Sequence, residues 1–274
     1  MTIDVGAVLA WGVPNIRDLP WRLERDPWKI LVAEVMLQQT QAERVIPKWR
    51  AFLDAFPTPR VCSQASLGEV LRLWQGLGYP RRARNLRDAA QIVVEHHGGR
   101  LPNDLDALLA LPGVGPYTAR AVLAFAFERD VAVVDTNIAR ILARTAGDRL
   151  TPKRAQAAAD DVVPIGQGWV WNQVIMDVGA TLCRRTPHCE RCPLAGACTW
   201  HLAGRPQPDP AVGSAGVSGK QARFEGSDRQ ARGKVLATLA AGTRPVEHFD
   251  DRIVSGLVAD QLVSVSNGTV SLPD

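Results

Sequence analysis

Residues 111–119 read Leu-Pro-Gly-Val-Gly-Pro-Tyr-Thr-Ala, and this stretch decides the architecture. Apolar residues at helical spacing precede it at 104–110 and follow it at 116–127. Pro116 suits the first position of a helix, and Gly113 and Gly115 allow a tight turn between two helices. Backbone amides at the start of a helix carry partial positive charge and attract phosphate. Gly-x-Gly alone reads as a helix–helix turn with no ligand. The longer string through Thr118 and Ala119 sharpens the anion-binding reading.

Outward from the hairpin the body is helix after helix. Helical patterns occupy 28–40, 42–54, 66–75, 82–97, 104–110, 116–127, 136–145, 153–163 and 169–182, punctuated by Pro and Gly, with no strand-like alternation. An all-α body is therefore expected up to about residue 203. A second Gly-x-Gly turn, Gly76-Leu77-Gly78-Tyr79, echoes the hairpin faintly. Residues 204–226 are rich in Gly, Pro and Ser and read as a linker. Beyond it, helical patterns at 228–241 and 250–262 precede a hairpin over 263–272, turned at Asn267-Gly268. Residues 227–274 are thus expected to form a small winged-helix-like α+β module, tethered rather than fused.

The 274 residues are 46% hydrophobic and 22% charged, as in an ordinary globular protein. The net charge of +4 is uneven: residues 1–205 hold 25 Lys and Arg against 20 Asp and Glu, whereas 206–274 hold 7 against 8. Most of the basic residues are Arg, suited to bidentate phosphate contact, so nucleic acid is permitted as a partner without being demanded. The first residues lack a basic start with an apolar core, and no apolar run is long enough for a membrane span. A cytoplasmic location without a membrane is expected, nucleoid-associated if the source is bacterial.

Three sets of residues carry chemistry. Glu34 lies in Ile30-Leu31-Val32-Ala33-Glu34-Val35-Met36-Leu37, with no basic residue three or four positions away on either side. Burying a carboxylate there is costly, and a raised pKa would make it a general acid; the plainer reading is a core Glu satisfied by a distant Arg. Asp135 ends an apolar run and precedes a helix, where it reads first as an N-cap, a role that still leaves its carboxylate able to face a cleft. Cys183, Cys189, Cys192 and Cys198 are spaced Cys-x5-Cys-x2-Cys-x5-Cys, a metal-type set fit for zinc or an iron–sulfur cluster. A zinc ribbon would show two separated Cys-x-x-Cys pairs, so the compact spacing favours [4Fe–4S]. Cys62 lies far from them and reads as a buried apolar residue.

With these pieces in place the chain resembles the helix-hairpin-helix DNA glycosylase superfamily, and within it the adenine-specific mismatch (MutY-like) family. The likeness runs from about Leu19 to Cys198. It rests on Leu19-Pro20-Trp21-Arg22, Glu34-Val35-Met36-Leu37-Gln38-Gln39-Thr40, Gly76-Leu77-Gly78-Tyr79, the hairpin string, Val134-Asp135-x-Asn137 and the cysteine loop. The resemblance implies a two-lobed fold: a helical barrel lobe over about 20–130, and a cluster lobe joining 1–19 to 131–203. Glu34 and Asp135 would face each other across the cleft between lobes. Glu34 would protonate adenine at N7 and then activate water; Asp135, oriented by Asn137, would stabilise the cationic sugar, as carboxylate pairs do in sugar hydrolysis. Arg22 and Gln38 with Thr40 would line the base pocket. Gln39 and Tyr79 would wedge into the base stack, which offsets the cost of flipping the base out, and Leu77 and Gly78 would also contact the DNA. Gly113, Val114 and Gly115 would grip the DNA backbone and Arg81, Arg82 and Arg84 would lie near phosphates or on a solvated helix face. The cysteine loop would hold a [4Fe–4S] cluster. The substrate implied is mismatched double-stranded DNA carrying adenine opposite 8-oxoguanine or guanine, bound by a monomer, with downstream repair proteins as further partners.

Tyr117 occupies the position where the related endonuclease III group carries a Schiff-base Lys, so simple hydrolysis is expected rather than strand cleavage. Three departures from the family pattern stand out. The first cysteine gap holds five residues rather than six, Pro80 replaces a second Tyr, and the residues beyond 205 are too few for the Nudix-like domain that often recognises 8-oxoguanine. Without that domain, preference for the oxidised base is expected to rest on contacts around Tyr79 and Gln39. Two other readings remain: a thymine or uracil mismatch glycosylase on the same fold, and a redox-sensing iron–sulfur DNA-binding regulator.

Overall fold

Helix starts are written in capping side chains. Asp4, Asp26, Thr58, Ser66, Asp104, Asp135, Thr151, Ser227 and Asp250 each accept a hydrogen bond from a backbone N–H of the first helical turn. Ser66 and Glu69 form a reciprocal capping box. The computed structural model describes residues 3–215, 217 and 223–274. The chain divides into two compact units, Met1–Asp18 with Ala119–Gln221 and Leu19–Thr118 with Ala222–Asp274.

The first unit is built on the helices Val5–Gly12, Thr136–Ala146, Pro152–Asp160 and Gly168–Asp177. Val8, Ile138, Ile141, Leu142, Trp171 and Val174 form the centre of its core. The last helix widens into a π-helical turn over Val178–Leu182, which delivers the chain to Cys183. The buried Asp177 carboxylate accepts from both the backbone N–H (2.9 Å) and Nε (2.6 Å) of Arg17, fixing the end of the N-terminal segment. Part of the expected linker also belongs here. Ser214 Oγ accepts from Leu150 N–H at 3.1 Å, the Ala215 N–H donates to the Leu150 carbonyl at 3.0 Å, and Ala211 is buried. Residues 216 and 218–222 of that linker lie outside the described residues.

The second unit gathers the helices Pro27–Leu37, Ala42–Ala55, Pro59–Gln64, Leu67–Leu73, Arg81–His96 and Leu105–Leu109 around Leu31, Met36, Phe52, Leu71, Trp74 and Leu86. Phe52 meets Phe56 and Trp74 edge-on, with ring centroids 5.0 and 6.1 Å apart. The helical pattern expected over 28–40 stops at Leu37, because Gln38 leaves helical geometry and Gln39 takes a left-handed φ of 56°. Among the described residues three α-helices were not foreseen, Val5–Gly12, Pro59–Gln64 and Thr199–Leu202. All three are too short to show a repeating face.

The C-terminal module holds the helices Asp228–Ala240 and Asp251–Ala259 and a three-stranded antiparallel sheet. The expected hairpin is present, with Val265 opposite Val270 and the turn at Asn267 (φ 48°) and Gly268 (φ 70°). A third strand, Arg244–Pro245, pairs with Thr269–Ser271; at two residues it offers no alternation to read. The tethered arrangement expected for 227–274 is corrected by the contacts. The Gly68 N–H donates to the Pro273 carbonyl at 2.7 Å. Asp260 pairs with Arg81 as well as Arg232, and the Arg84 Nη1 donates to the Asp260 carbonyl. The module is fused to the helices of its unit because its one buried acid is matched by arginines from the Arg81–His96 helix.

Candidate active site

Glu34 sits one turn before the end of Pro27–Leu37, a helix started by Asp26 and Pro27. Every residue from Ile30 to Met36 is buried, and Glu34 itself is 4% exposed. The sequence reading of an acid inside an apolar helix is therefore what the fold contains. Immediately beyond, Gln38 Nε2 lies 3.4 Å from Thr118 Oγ1, at the buried start of the Pro116–Phe125 helix. Thr40 Oγ1 is 3.3 Å from the Leu77 carbonyl, so the segment after Glu34 and the Gly76–Tyr79 turn are held together.

That turn and its neighbour are strained. Gln39 (φ 56°) and Tyr79 (φ 48°) are left-handed non-glycine residues, a geometry costing about 1–2 kcal/mol each. Gly76 and Gly78 are left-handed as well, at φ 88° and 72°. Arg82 stabilises the arrangement. Its buried guanidinium donates from Nη1 to the carbonyls of Val35 (2.7 Å), Met36 (3.1 Å) and Gln38 (2.7 Å). From Nη2 it reaches Thr40 Oγ1 (3.3 Å) and the carbonyls of Leu77 (2.9 Å) and Gly78 (3.1 Å). Burial pulls its pKa down to about 10. Arg82 is thus neither on a solvated face nor available to phosphate, contrary to the sequence reading. Arg81 is exposed and engaged with Asp260.

At the hairpin, Val114 is buried and Gly113 has φ 75°, with the Asn85 Cβ 2.8 Å from where a Cβ would stand. Gly115 differs. Its φ is ordinary and a Cβ there would meet nothing within 4 Å, so no contact within the chain requires glycine at that position. Arg22 is buried, while Tyr117 is half-buried at the first turn of Pro116–Phe125.

In the other unit, Asp135 caps Thr136–Ala146. Its Oδ1 accepts from Asn137 N–H (2.9 Å) and Ile138 N–H (2.7 Å), and its Oδ2 from Asn137 Nδ2 (2.8 Å). Burial raises its pKa above the usual carboxylate range; these three donors and the Arg140 charge pull it back only in part. Asn137 thus holds both oxygens of the Asp135 carboxylate, one through its backbone and one through its side chain. Behind it stands a residue the sequence reading missed. Arg140 Nη2 donates to Asn137 Oδ1 (2.8 Å) and to the Gly179 carbonyl (2.7 Å), and its Nε donates to the Cys183 carbonyl. Gly179 is required because a Cβ there would come within 2.6 Å of Asn137 Cβ.

Cys183, Cys189, Cys192 and Cys198 line one pocket, walled by Ile141, Leu182, Leu194 and Trp200. Among the described residues no three His, Cys, Asp or Glu side chains converge closely enough to hold a single metal ion. Burial pushes the Cys192 thiol up to about 11 and raises those of Cys189 and Cys198, so none is a ready nucleophile. Arg144, 2% exposed, organises the wall. It donates to Cys183 Sγ (3.4 Å) and the Arg184 carbonyl (2.7 Å), pairs with Asp209 (2.6 Å) and lies 4.5 Å from the Trp200 ring centre. Cys62 is fully buried elsewhere, its pKa raised to about 12, as expected of an apolar core residue.

Residues 32–164 match the family of HhH-GPD superfamily base excision DNA repair proteins. The chain is 39% identical to the adenine DNA glycosylase of Mycobacterium tuberculosis over 97% of its own length and 92% of the relative's. Its identity to the adenine DNA glycosylase of Mycolicibacterium smegmatis is 38%, over 96% and 93%. The chain belongs to the adenine DNA glycosylase family. The human adenine DNA glycosylase is 38% identical over 70% of this chain and 38% of the human protein. Coverage of the mycobacterial relatives extends through nearly the whole chain, so the short module is part of the likeness. Among solved structures, a thermostable thymine-DNA glycosylase superposes with a TM-score of 0.70 and 32% identity, covering 73% of this chain and 95% of that one. The fold is thus that of a mostly helical glycosylase of this family, with a small C-terminal sheet.

Proposed function

We propose that this chain is a monofunctional glycosylase that hydrolyses the bond between adenine and deoxyribose where adenine is mispaired with 8-oxoguanine or guanine. The observation that carries the reading is Glu34, a buried carboxyl on an apolar helix, in a chain belonging to this family. A carboxylic acid kept in a dry setting is poised to protonate the leaving base at N7, and its conjugate base then activates water. Asp135 supplies negative charge to the oxocarbenium-like sugar. Its donors are fixed before reaction, so little reorganisation is needed as charge develops. Asn137 and Arg140 are positioning residues for that carboxylate. Tyr117 offers no amine for a Schiff base, which supports hydrolysis without strand cleavage.

DNA is held, on this reading, by the hairpin amides of Gly113, Val114 and Gly115. The open space at Gly115 supports a close approach by the phosphate backbone. Gln39 and Tyr79, the strained residues, enter the base stack; Arg22, Gln38 and Thr40 line the base pocket. The two helices and three strands at the C-terminus are read as a winged-helix-like module.

The cysteine cavity fits a [4Fe–4S] cluster better than one zinc ion, because its four thiols share a cavity without closing on a single point. Cys183, Cys189, Cys192 and Cys198 would hold it, and when bound it supplies four metal–sulfur crosslinks to the loop. Purified protein is expected to carry about four irons per chain; one zinc and no iron would overturn the assignment.

Duplexes holding adenine opposite 8-oxoguanine or guanine, and thymine or uracil opposite guanine, test the function. Adenine release with strand breakage only after alkali is expected, and Glu34→Gln should lose about 10²–10⁴-fold in rate while still binding DNA. Preferential release of thymine, the reading favoured by the thymine-DNA glycosylase likeness, would overturn adenine specificity. Nicking without alkali would overturn simple hydrolysis.

A further inference from the structure

The C-terminal module does more than cover its unit: it holds Tyr79. Arg229, in the first turn of the Asp228–Ala240 helix, donates from Nη1 to the Tyr79 hydroxyl at 2.7 Å. Its guanidinium also lies 5.6 Å from the Tyr79 ring centre and 5.3 Å from that of Phe224. On the barrel side, Arg82 lies 5.4 Å from the same Tyr79 ring and 5.5 Å from Trp74. Cations and rings therefore alternate from the buried Trp74 through Arg82, Tyr79 and Arg229 to Phe224, which is 53% exposed. A guanidinium near an aromatic face is held by the ring's quadrupole, and the hydroxyl bond fixes the ring's direction as well. Tyr79 needs such support, since its backbone occupies a left-handed conformation that tyrosine rarely adopts.

The module grips its unit at Gly68, whose N–H donates to the Pro273 carbonyl, and again beside Tyr79. Asp260 takes Arg81 and Arg232, and the carbonyl of Asp260 takes Arg84, so residues just after Tyr79 are bound by the same module.

We propose that Arg229 is a positioning residue for Tyr79, and that through it the C-terminal module sets how the enzyme distinguishes the purine opposite the excised adenine. This rests on the reading of Tyr79 as the residue that enters the base stack. A ring held in one orientation presents one stacking surface, so two purines that differ by an oxygen at C8 and a proton at N7 settle against it differently. A loose ring adapts to both and distinguishes neither. The module would thereby take part in opposite-base recognition. This departs from the sequence-based expectation that the turn residues suffice by themselves.

Single-turnover rates for wild type, Arg229→Ala, Tyr79→Phe and the double variant, on adenine opposite 8-oxoguanine and opposite guanine, provide the test. Arg229→Ala is expected to lower the rate opposite 8-oxoguanine about tenfold more than the rate opposite guanine, the size of one hydrogen bond with a cation–π contact. Tyr79→Phe should show part of that loss, the double variant should lose no more than Arg229→Ala, and Arg229→Lys should restore part of the preference. Melting temperatures of these proteins separate positioning from folding. If Arg229→Ala keeps the wild-type preference within twofold, or slows both duplexes equally, the inference is overturned. It is overturned as well if wild type shows no preference. Absence of adenine release from either duplex by wild type would instead overturn the proposed function.

Discussion

Arg82 allows the sharpest test of how the site is held. Its guanidinium bridges the end of the Glu34 helix and the Gly76–Tyr79 turn with six hydrogen bonds, five of them to backbone carbonyls. The carbonyls of Val35 and Met36 belong to the last turn of their helix and have no partner four residues on. Each charge-assisted bond contributes roughly 1.5–3 kcal/mol, but they share one cation whose burial is itself costly, so they do not add. Arg82→Ala removes the donor from the Val35 and Met36 carbonyls, while Trp74 Nε1 stays on Gly78 and Thr40 Oγ1 beside Leu77 and Gln38, a loss of about 3 kcal/mol, the low end for a broken buried charge pair. At roughly 2–4 °C per kcal/mol for a protein of this size, the melting temperature should fall on the order of 10 °C. Arg82→Lys should recover only part of that, because a compact ammonium cannot span both segments as the planar fork does. Calorimetry measures the stability, and single-turnover adenine release well below the melting point measures the site. Activity should fall in both variants, since Glu34 and Tyr79 lose their common anchor. A fall of less than about 2 °C in Arg82→Ala would show that water satisfies those carbonyls and that the bridge is incidental.

Three further outcomes follow from individual residues. The folded Asp135 carboxyl keeps its proton to higher pH than the unfolded chain's, whose ordinary value is 3.8, so its stabilising contribution is full below that value and lost as pH rises through the folded value. Asp135→Asn keeps the Oδ1 cap but sets an amide N–H against Asn137 Nδ2, so the sign is read from the pH dependence: its melting point relative to wild type should rise between pH 4 and pH 7.5, while activity falls about 10²–10³-fold; a relative melting point that falls over that interval would refute the cost assigned to burial. Asp260 has the opposite sign: Arg81 and Arg232 hold its carboxyl below the usual range, so Asp260→Asn should destabilise at neutral pH, with the difference vanishing as pH falls below 3.8. Gly113→Ala should lower the melting temperature, because of its left-handed φ and the Asn85 contact. Gly115→Ala should leave stability unchanged and weaken binding to undamaged duplex in a filter or anisotropy assay; unchanged affinity would remove the hairpin from the DNA interface.

The helical body, the hairpin with its glycines, the burial of Glu34 and the capping role of Asp135 were all legible in the order of residues. Each of these is a local matter: an acid amid apolar residues at helical spacing, or an Asp before a helix, states its environment within a few positions. The four cysteines were likewise legible, because a single loop brings them to one cavity. The fate of the arginines, by contrast, was settled by tertiary packing alone. On their helices Arg82, Arg140 and Arg144 look like members of charged faces, and nothing within four residues says which will be buried. Arg82 turns inward because two segments distant in sequence bring five backbone carbonyls beside it, and Arg144 because Asp209, sixty-five residues on, meets it at the cysteine wall. The attachment of the C-terminal module was hidden for the same reason. Asp260 and Arg229 find Arg81 and Tyr79 across 179 and 150 residues of chain, and a long flexible side chain reveals its partner only once folding has brought the partner within reach.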